Sequence, residues 1–191
     1  MATRSVIAVS NSAWLRGRGL GQAIDSHDVV IRFNEAKTAG AEHDLGSRTT
    51  ILATSPPVFT TELSPERWLL YVPRHLPLPS QPGPWETIPV AVQTTLTREM
   101  RLRPSRNFDP GEFPTTGLAA VFFLLQEFDV ITLAGWHRGD FANPDSLKGW
   151  WDYYHPQGME FSSKKATYHN RQAEADFVAK LVEDGRLKHL A

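Results

Sequence analysis

The sequence predicts an α/β fold, a mostly parallel sheet flanked by helices. Three observations carry that expectation. Short apolar, β-branched runs such as Val6–Val9 read as buried strands. Each of the clearest runs stops at small or polar residues where the chain must leave a sheet, at Ser10-Asn11-Ser12 and at Gly135-Trp136. Strand, loop, helix and strand then alternate along the chain, which favours parallel pairing with helices packed over it.

In order, the strand at Val6–Val9 runs into a polar loop in which Gly17, Gly19 and Gly21 permit tight turns and close backbone approach. A short helix and a second strand, through Val30-Ile31-Arg32-Phe33-Asn34, follow. Residues 49–54 and 68–72 are further short strands. Six prolines between Pro73 and Pro89 forbid a helix or a central strand there. That segment reads first as a surface connection and second as a loop bordering a cleft. Residues 94–103 have helical composition, with Pro104 ending them, and residues 105–113 form an irregular link. Thr115 or Thr116 is a fitting N-cap for a buried apolar helix over residues 118–127, and residues 130–134 form the next strand. A final helix presents Ala173, Phe177, Val178, Leu181 and Val182 on one stripe and ends at Gly185. Nothing interrupts this pattern, so residues 1–191 are read as one domain.

Composition excludes several classes. Net charge is −1, with no run of one sign, so a nucleic-acid footprint is missing. No apolar run is long enough to cross a bilayer, and no apolar signal core precedes the first strand. Cysteine is absent, which removes disulfides, thiolate nucleophiles and sulfur-ligated zinc. The simplest expectation is a soluble cytoplasmic protein, or one peripheral at an inner membrane if its substrate is lipid-linked.

Residues just past a strand's carboxyl end sit where open α/β sheets bind ligands, so Asn11 and Ser12 mark a nucleotide-type pocket. The glycines after them do not fit the dinucleotide fingerprint, because position 22 is glutamine. The stretch does resemble something more specific. Asn11-Ser12, Leu15-Arg16-Gly17, Ile24-Asp25-Ser26-His27-Asp28, Val30-Ile31-Arg32-Phe33-Asn34, Asp44-Leu45-Gly46 and Arg48-Thr49-Thr50 look like the large sialylmotif of animal-type sialyltransferases, glycosyltransferase family 29. Pro114-Thr115-Thr116-Gly117, the apolar helix, Asp129 and Gly135-Trp136 resemble the small motif, with tryptophan where the family usually has phenylalanine. Asp152-Tyr153-Tyr154-His155 falls at the third motif, with aspartate at the usual histidine. His169 and Glu174 fit the very short motif of a histidine and a glutamate five positions later.

The resemblance implies a Rossmann-like sheet of the GT-A variant and a donor of CMP-activated nonulosonic acid. It implies inverting transfer of sialic acid from CMP-sialic acid to a hydroxyl of a glycan acceptor, lipid-linked in one alternative. Asn11, Ser12, Asn34, Thr115, Thr116, Gly117, Gly135, Trp136 and Tyr153 become candidate nucleotide contacts. Asp152, Tyr154 and Tyr168 become candidate phosphate or acceptor contacts; an aspartate beside a phosphate is repelled, so Asp152 suits ribose hydroxyls or the acceptor better. Animal members pair a cysteine opening the large motif with one in the small motif. Val6 and Phe128 stand there, which implies apolar packing in place of a bridge, a reducing compartment and a bacterial source.

The reaction wants a base near neutral pKa, and histidine supplies one, worth roughly 10²–10⁴-fold. His169 is the candidate catalytic base, with Glu174 supporting it. CMP leaves with less charge than a nucleoside diphosphate, and no Asp-x-Asp motif exists, so no metal or other cofactor is expected. Asn11, Asn34 and tyrosine hydroxyls are the neutral groups expected to relieve leaving-group charge. Arg16, Arg32 and Arg48 are expected first to pair with Asp25, Asp28 or Asp44 and second to bind a carboxylate of donor or acceptor, and those acids with His27 are expected to serve turns and caps. The alternatives are a CMP-Kdo-dependent transferase of envelope glycans, a hydrolase of the same donor, and a non-catalytic CMP-sugar-binding module.

Overall fold

The computed structural model describes residues 4–56, 63–73, 76, 83–103, 112–136 and 169–190. Seven strands form one sheet: β1 (Val6–Val9), β2 (Val29–Phe33), β3 (Ile51–Thr54), β4 (Arg67–Leu70), β5 (Trp85–Thr87), β6 (Ile131–Ala134) and β7 (Leu187–His189). Their order is β5-β4-β3-β2-β1-β6-β7, and every neighbouring pair is parallel. The helices are α1 (Gly21–Asp25), α2 (Glu42–Leu45), α3 (Val90–Glu99), α4 (Thr116–Leu124) and α5 (Arg171–Glu183). This is a Rossmann-like α/β architecture.

A sheet covered on both faces explains the unbroken apolar strands. Along β1, Val6 and Ala8 face one core with Val29, Ile31 and Phe33 of β2 and with Leu96, Leu118, Val121 and Phe177 from α3, α4 and α5. Ile7 and Val9 face the other core with Val30 and with Leu15, Ile24 and Leu45. Each such aliphatic side chain gains about 1.5–3 kcal/mol on burial, which is how strands this short are held in the sheet. Val6 and Phe128 pack into the same core, Val6 buried and Phe128 at its margin.

The chain winds outward from β1 to β5, then returns to place β6 on the other flank of β1. The connections therefore reverse between β1 and β6, and a crevice opens at their carboxyl ends. Three elements differ from the sequence reading, the first being β5, an edge strand within the proline-rich segment. Helix α3 begins directly after Pro89, because that proline closes the extended segment. It ends at Glu99, with Met100 as its C-cap, because Arg101 adopts a φ of 53° and Leu102 N–H returns to Thr97 O at 3.0 Å, so the helix stops before Pro104 is reached. After Gly185 the chain adds β7 as an edge strand beside β6.

The expectation for Arg32 and Arg48 is corrected. Arg32 is only 2% exposed, and its guanidinium donates to main-chain oxygens rather than to a carboxylate. Nε reaches Arg48 O at 2.9 Å and Thr49 Oγ1 at 3.1 Å, while Nη2 reaches Leu45 O at 2.7 Å and Gly46 O at 3.2 Å. Burial pulls its pKa down to about 10. Arg48 likewise donates to Asp25 O at 2.8 Å, to His27 O, and to Asp28 O at 3.2 Å. The side chain of Asp25 instead accepts from Ser47 N, Ser47 Oγ and Arg48 N, and that of Asp28 from Ser5 N and Oγ. These residues hold the loop that delivers β3 beside β2. An Arg32→Met variant keeps much of the volume but strands those carbonyls, so urea unfolding should show a loss of about 2–4 kcal/mol. A loss within experimental error would remove Arg32 from this role.

Candidate active site

The carboxyl ends of β1, β2 and β6 bring together residues far apart in sequence. Beyond β1, Ser10 Oγ donates to Gly135 O at 2.6 Å and accepts from Ser12 N at 3.2 Å. One hydroxyl thus ties the exits of β1 and β6. Asn11 Nδ2 donates to Phe33 O at 2.9 Å, tying the exit of β2 to both. Ser12 is buried, and its Oγ accepts from Trp14 N at 3.2 Å, closing the turn. Asn34 takes a φ of 50°, a left-handed conformation that asparagine tolerates better than most residues. Its main-chain N–H is held by Ala53 O at 2.8 Å, while its buried Oδ1 has no hydrogen-bond partner among the described residues. An unpaired buried acceptor is costly and marks where a donor group fits.

The opposite wall is built from β6 and α4. Trp136 donates from Nε1 to Ala8 O at 3.0 Å and meets the edge of the Phe33 ring at 5.8 Å. Gly117 lies beneath the indole: a Cβ there would stand 3.3 Å from Trp136 Cη2. Thr115 caps α4 by accepting from Leu118 N at 3.3 Å, and Thr116 is buried in its first turn. Gly135 has a φ of 73°, and a Cβ on it would fall 2.6 Å from Ser10 Oγ and 2.7 Å from Leu15 Cδ1. A Gly135→Ala substitution should cost about 2–4 kcal/mol in a denaturant melt from left-handed strain and crowding together.

His169 stands just ahead of α5, whose N-cap Asn170 accepts from Ala173 N at 3.1 Å. Its Nδ1 lies 2.8 Å from Phe113 O, and its ring meets the Phe113 ring edge-on at 4.9 Å. A carbonyl oxygen only accepts, so Nδ1 carries the hydrogen and Nε2 keeps its lone pair. Glu174, one turn into α5, takes Thr115 N at 2.6 Å and Thr115 Oγ1 at 3.1 Å. It therefore anchors α5 to the capped end of α4 and has no bond to His169. Desolvation raises the Glu174 pKa, against the Arg171 charge and the Thr115 bonds that lower it.

The structure so assembles Asn11, Ser12, Asn34, Gly135 and Trp136 at the strand ends, and Thr115, Thr116, Gly117, His169 and Glu174 at the helix starts. Asp152, Tyr153, Tyr154 and Tyr168 lie outside the described residues. Sequence reasoning missed Ser10, whose hydroxyl is the tie between β1 and β6, and Phe113, whose carbonyl sets the histidine tautomer. Neither role has a sequence signal, since each is fixed by a neighbour more than fifty residues away.

Fold and site define a crevice at the switch point of a parallel sheet, where open α/β sheets bind ligands. The model of glycosyltransferase family 29 (sialyltransferase) matches residues 2–75 and 88–186. The chain belongs to that family. It is 27% identical over 214 aligned residues to the human CMP-N-acetylneuraminate-beta-1,4-galactoside alpha-2,3-sialyltransferase, covering 94% of this chain and 55% of that protein. It is 26% identical over 203 residues to the human CMP-N-acetylneuraminate-beta-galactosamide-alpha-2,3-sialyltransferase 1, covering 97% and 58%. The chain thus spans somewhat over half the length of these curated relatives. A crystal structure of a mammalian sialyltransferase in complex with Gal-beta-1-3GalNAc-ortho-nitrophenol shares the fold, with a TM-score of 0.68 and 23% identity over all of this chain and 70% of that one.

Burial pulls the pKa of His169 from 6.5 to about 4, with the nearby Arg171 charge adding to the effect and the Phe113 carbonyl opposing it. The unfolded chain therefore takes up a proton at this position between pH 6.5 and about 4 that the folded chain refuses. This contribution to stability is complete above pH 6.5 and falls as pH drops through that window. Urea titrations at pH 7 and pH 5 should show a smaller acid-induced loss in His169→Phe than in the wild-type protein. Equal losses would assign the acid sensitivity to other groups.

Proposed function

We propose that this chain transfers sialic acid from CMP-sialic acid to a glycan hydroxyl with inversion, using His169 Nε2 as the base and no metal. The observation that carries the reading is the locked tautomer: Phe113 O holds the Nδ1 proton, which leaves Nε2 as the acceptor beside two helix starts. As the acceptor oxygen bonds to the anomeric carbon, the bond from that carbon to the phosphate oxygen breaks. CMP departs as a phosphate monoester, and the acceptor proton passes to Nε2. Such a base is worth roughly 10²–10⁴-fold.

The remaining groups serve binding. The unpaired Asn34 Oδ1 suits a ribose hydroxyl or the amino group of cytosine, both of which are donors. Asn11 has an oxygen and a second amide hydrogen to offer after its bond to Phe33 O. The face of Trp136 is the part of that side chain available for stacking, because its N–H is committed to Ala8 O. Neutral donors of this kind and main-chain N–H groups would relieve charge on the departing phosphate, and a nucleoside monophosphate carries less charge than a diphosphate.

The test is CMP release in EDTA from CMP-sialic acid and from CMP-Kdo, across a panel of glycan acceptors. The expected result is acceptor-dependent release from CMP-sialic acid, reduced about 10²-fold or more in His169→Ala with CMP affinity kept. An acid limb of kcat/KM between pH 4 and 5, below an ordinary histidine, is expected from the burial of His169. Loss of all release in EDTA, with recovery on adding a divalent cation, would overturn the metal-free mechanism. Release from CMP-Kdo alone would replace the donor, and CMP binding with no release would leave a binding module.

A further inference from the structure

We propose that Arg18 is a preorganised contact for an anionic group, a phosphate or a carboxylate, at the rim of the crevice; the identity of its ligand as a substrate rests on the transferase reading. Arginine is the residue suited to planar, two-pronged recognition of such groups. Within the first fifty residues the guanidinium groups of Arg32 and Arg48 are turned inward onto main-chain oxygens. Arg18 is exposed.

Its position is fixed from several sides. The guanidinium carbon lies 3.3 Å from the centroid of the Trp14 ring, and Nε donates to Trp14 O at 2.7 Å. The main chain on either side is pinned by one carboxylate, with Gly17 N reaching Asp44 Oδ2 at 2.7 Å and Gly19 N reaching Asp44 Oδ1 at 2.9 Å. An exposed arginine with rotamer freedom would lose it on binding, whereas here much of that ordering is already done by the fold. Among the described residues Nη1 and Nη2 have no hydrogen-bond partner and leave the outer edge of the fork open.

The platform is also joined to the crevice. Trp14 N donates to Ser12 Oγ, and Leu15, the residue after Trp14, is buried where it would meet any Cβ added at Gly135. Trp14 and Arg18 therefore ride on the turn that closes the β1 end of the switch point. The donor of the proposed reaction carries both a phosphate and a carboxylate, and an acidic acceptor would carry a carboxylate of its own. Each is an anion of the class that Arg18 is shaped to hold.

Calorimetric titration of wild-type protein, Arg18→Ala and Arg18→Lys with CMP, inorganic phosphate and N-acetylneuraminic acid tests the proposal directly. The expected result is a loss of affinity of about tenfold in Arg18→Ala for at least one of the three. A loss for CMP and phosphate would name the phosphate, and a loss for N-acetylneuraminic acid alone would name the carboxylate. Arg18→Lys should recover only part of the loss, since it restores charge without the stacked fork. Where turnover is present, KM for matched neutral and acidic acceptors separates an acceptor anion from a donor one. Equal affinities in all three proteins and unchanged KM for both acceptors overturn the proposal, as does a wild-type protein that binds none of the three titrants. Absence of turnover with a preserved Arg18-dependent affinity would instead fail the transferase reading alone.

Discussion

Residues 112–115 and 169–174 are joined side by side, and the site depends on that seam. His169 bonds to Phe113 O, Asn170 Nδ2 donates to Glu112 Oε2 at 3.3 Å, and Glu174 receives both donors of Thr115. Each bond contributes only about 0.5–1.5 kcal/mol to stability on its own. Their joint effect is geometric. They bring the N-termini of α4 and α5 level with each other at the carboxyl edge of the sheet, and they fix the ring of His169 in orientation and tautomer. Glu174 must accept twice at once, which an ionised carboxylate does and a protonated one does poorly. Burial opposes that ionisation, so the seam joins the two helices at an electrostatic cost that the Thr115 donors and Arg171 reduce.

The seam also relates His169 to the strand ends. Thr115 is followed within α4 by Gly117, whose missing Cβ lets the Trp136 indole lie against the helix. Trp136 in turn reaches across to Ala8 O in the central strand and packs edge-on against Phe33. A continuous path of contacts therefore runs from Glu174 through the start of α4 to β1 and β2. Ser10 and Asn11 complete it by tying the exits of β6 and β2 to β1. The histidine and the orphaned oxygen of Asn34 are held in one frame although 135 positions separate them in the chain.

Much of this was legible in the sequence. The apolar runs gave the inner strands, and the Thr115 cap and the α5 stripe gave two of the helices close to their observed bounds. Strands β5 and β7 were harder to see because an edge strand of three residues carries little periodicity. Helix α3 was read four residues late because β-branched Val90 and Val92 weaken a helix signal that only the preceding proline and packing restore. The long motif was legible as a family signal but not as a division of labour. Asp25, Asp28, Arg32, Asp44, Arg48 and Thr50 turn their polar groups onto neighbouring main chain, as when Thr50 Oγ1 accepts from Val30 N at 3.1 Å. Motif membership marks both scaffold and site, and only the hydrogen-bond partners separate them.

The proton affinity of His169 shows how occupancy and fold act against each other in the proposed reaction. Burial, with the Arg171 charge adding to it, pulls the His169 pKa to about 4, well below the value at which a neutral-pH base works best. The same burial removes water that would otherwise compete for the lone pair. A donor bearing phosphate and carboxylate charges acts in the opposite sense, since nearby negative charge favours the imidazolium form. Binding of the donor would thus raise the base toward its useful range at the moment a proton has to be taken. Desolvation and the Arg171 charge favour the neutral ring, whose lone pair then stays on Nε2. In the proposed reaction the base would be strengthened by the substrate it serves, and deep burial of the histidine would cost less catalytic power than a pKa of about 4 implies.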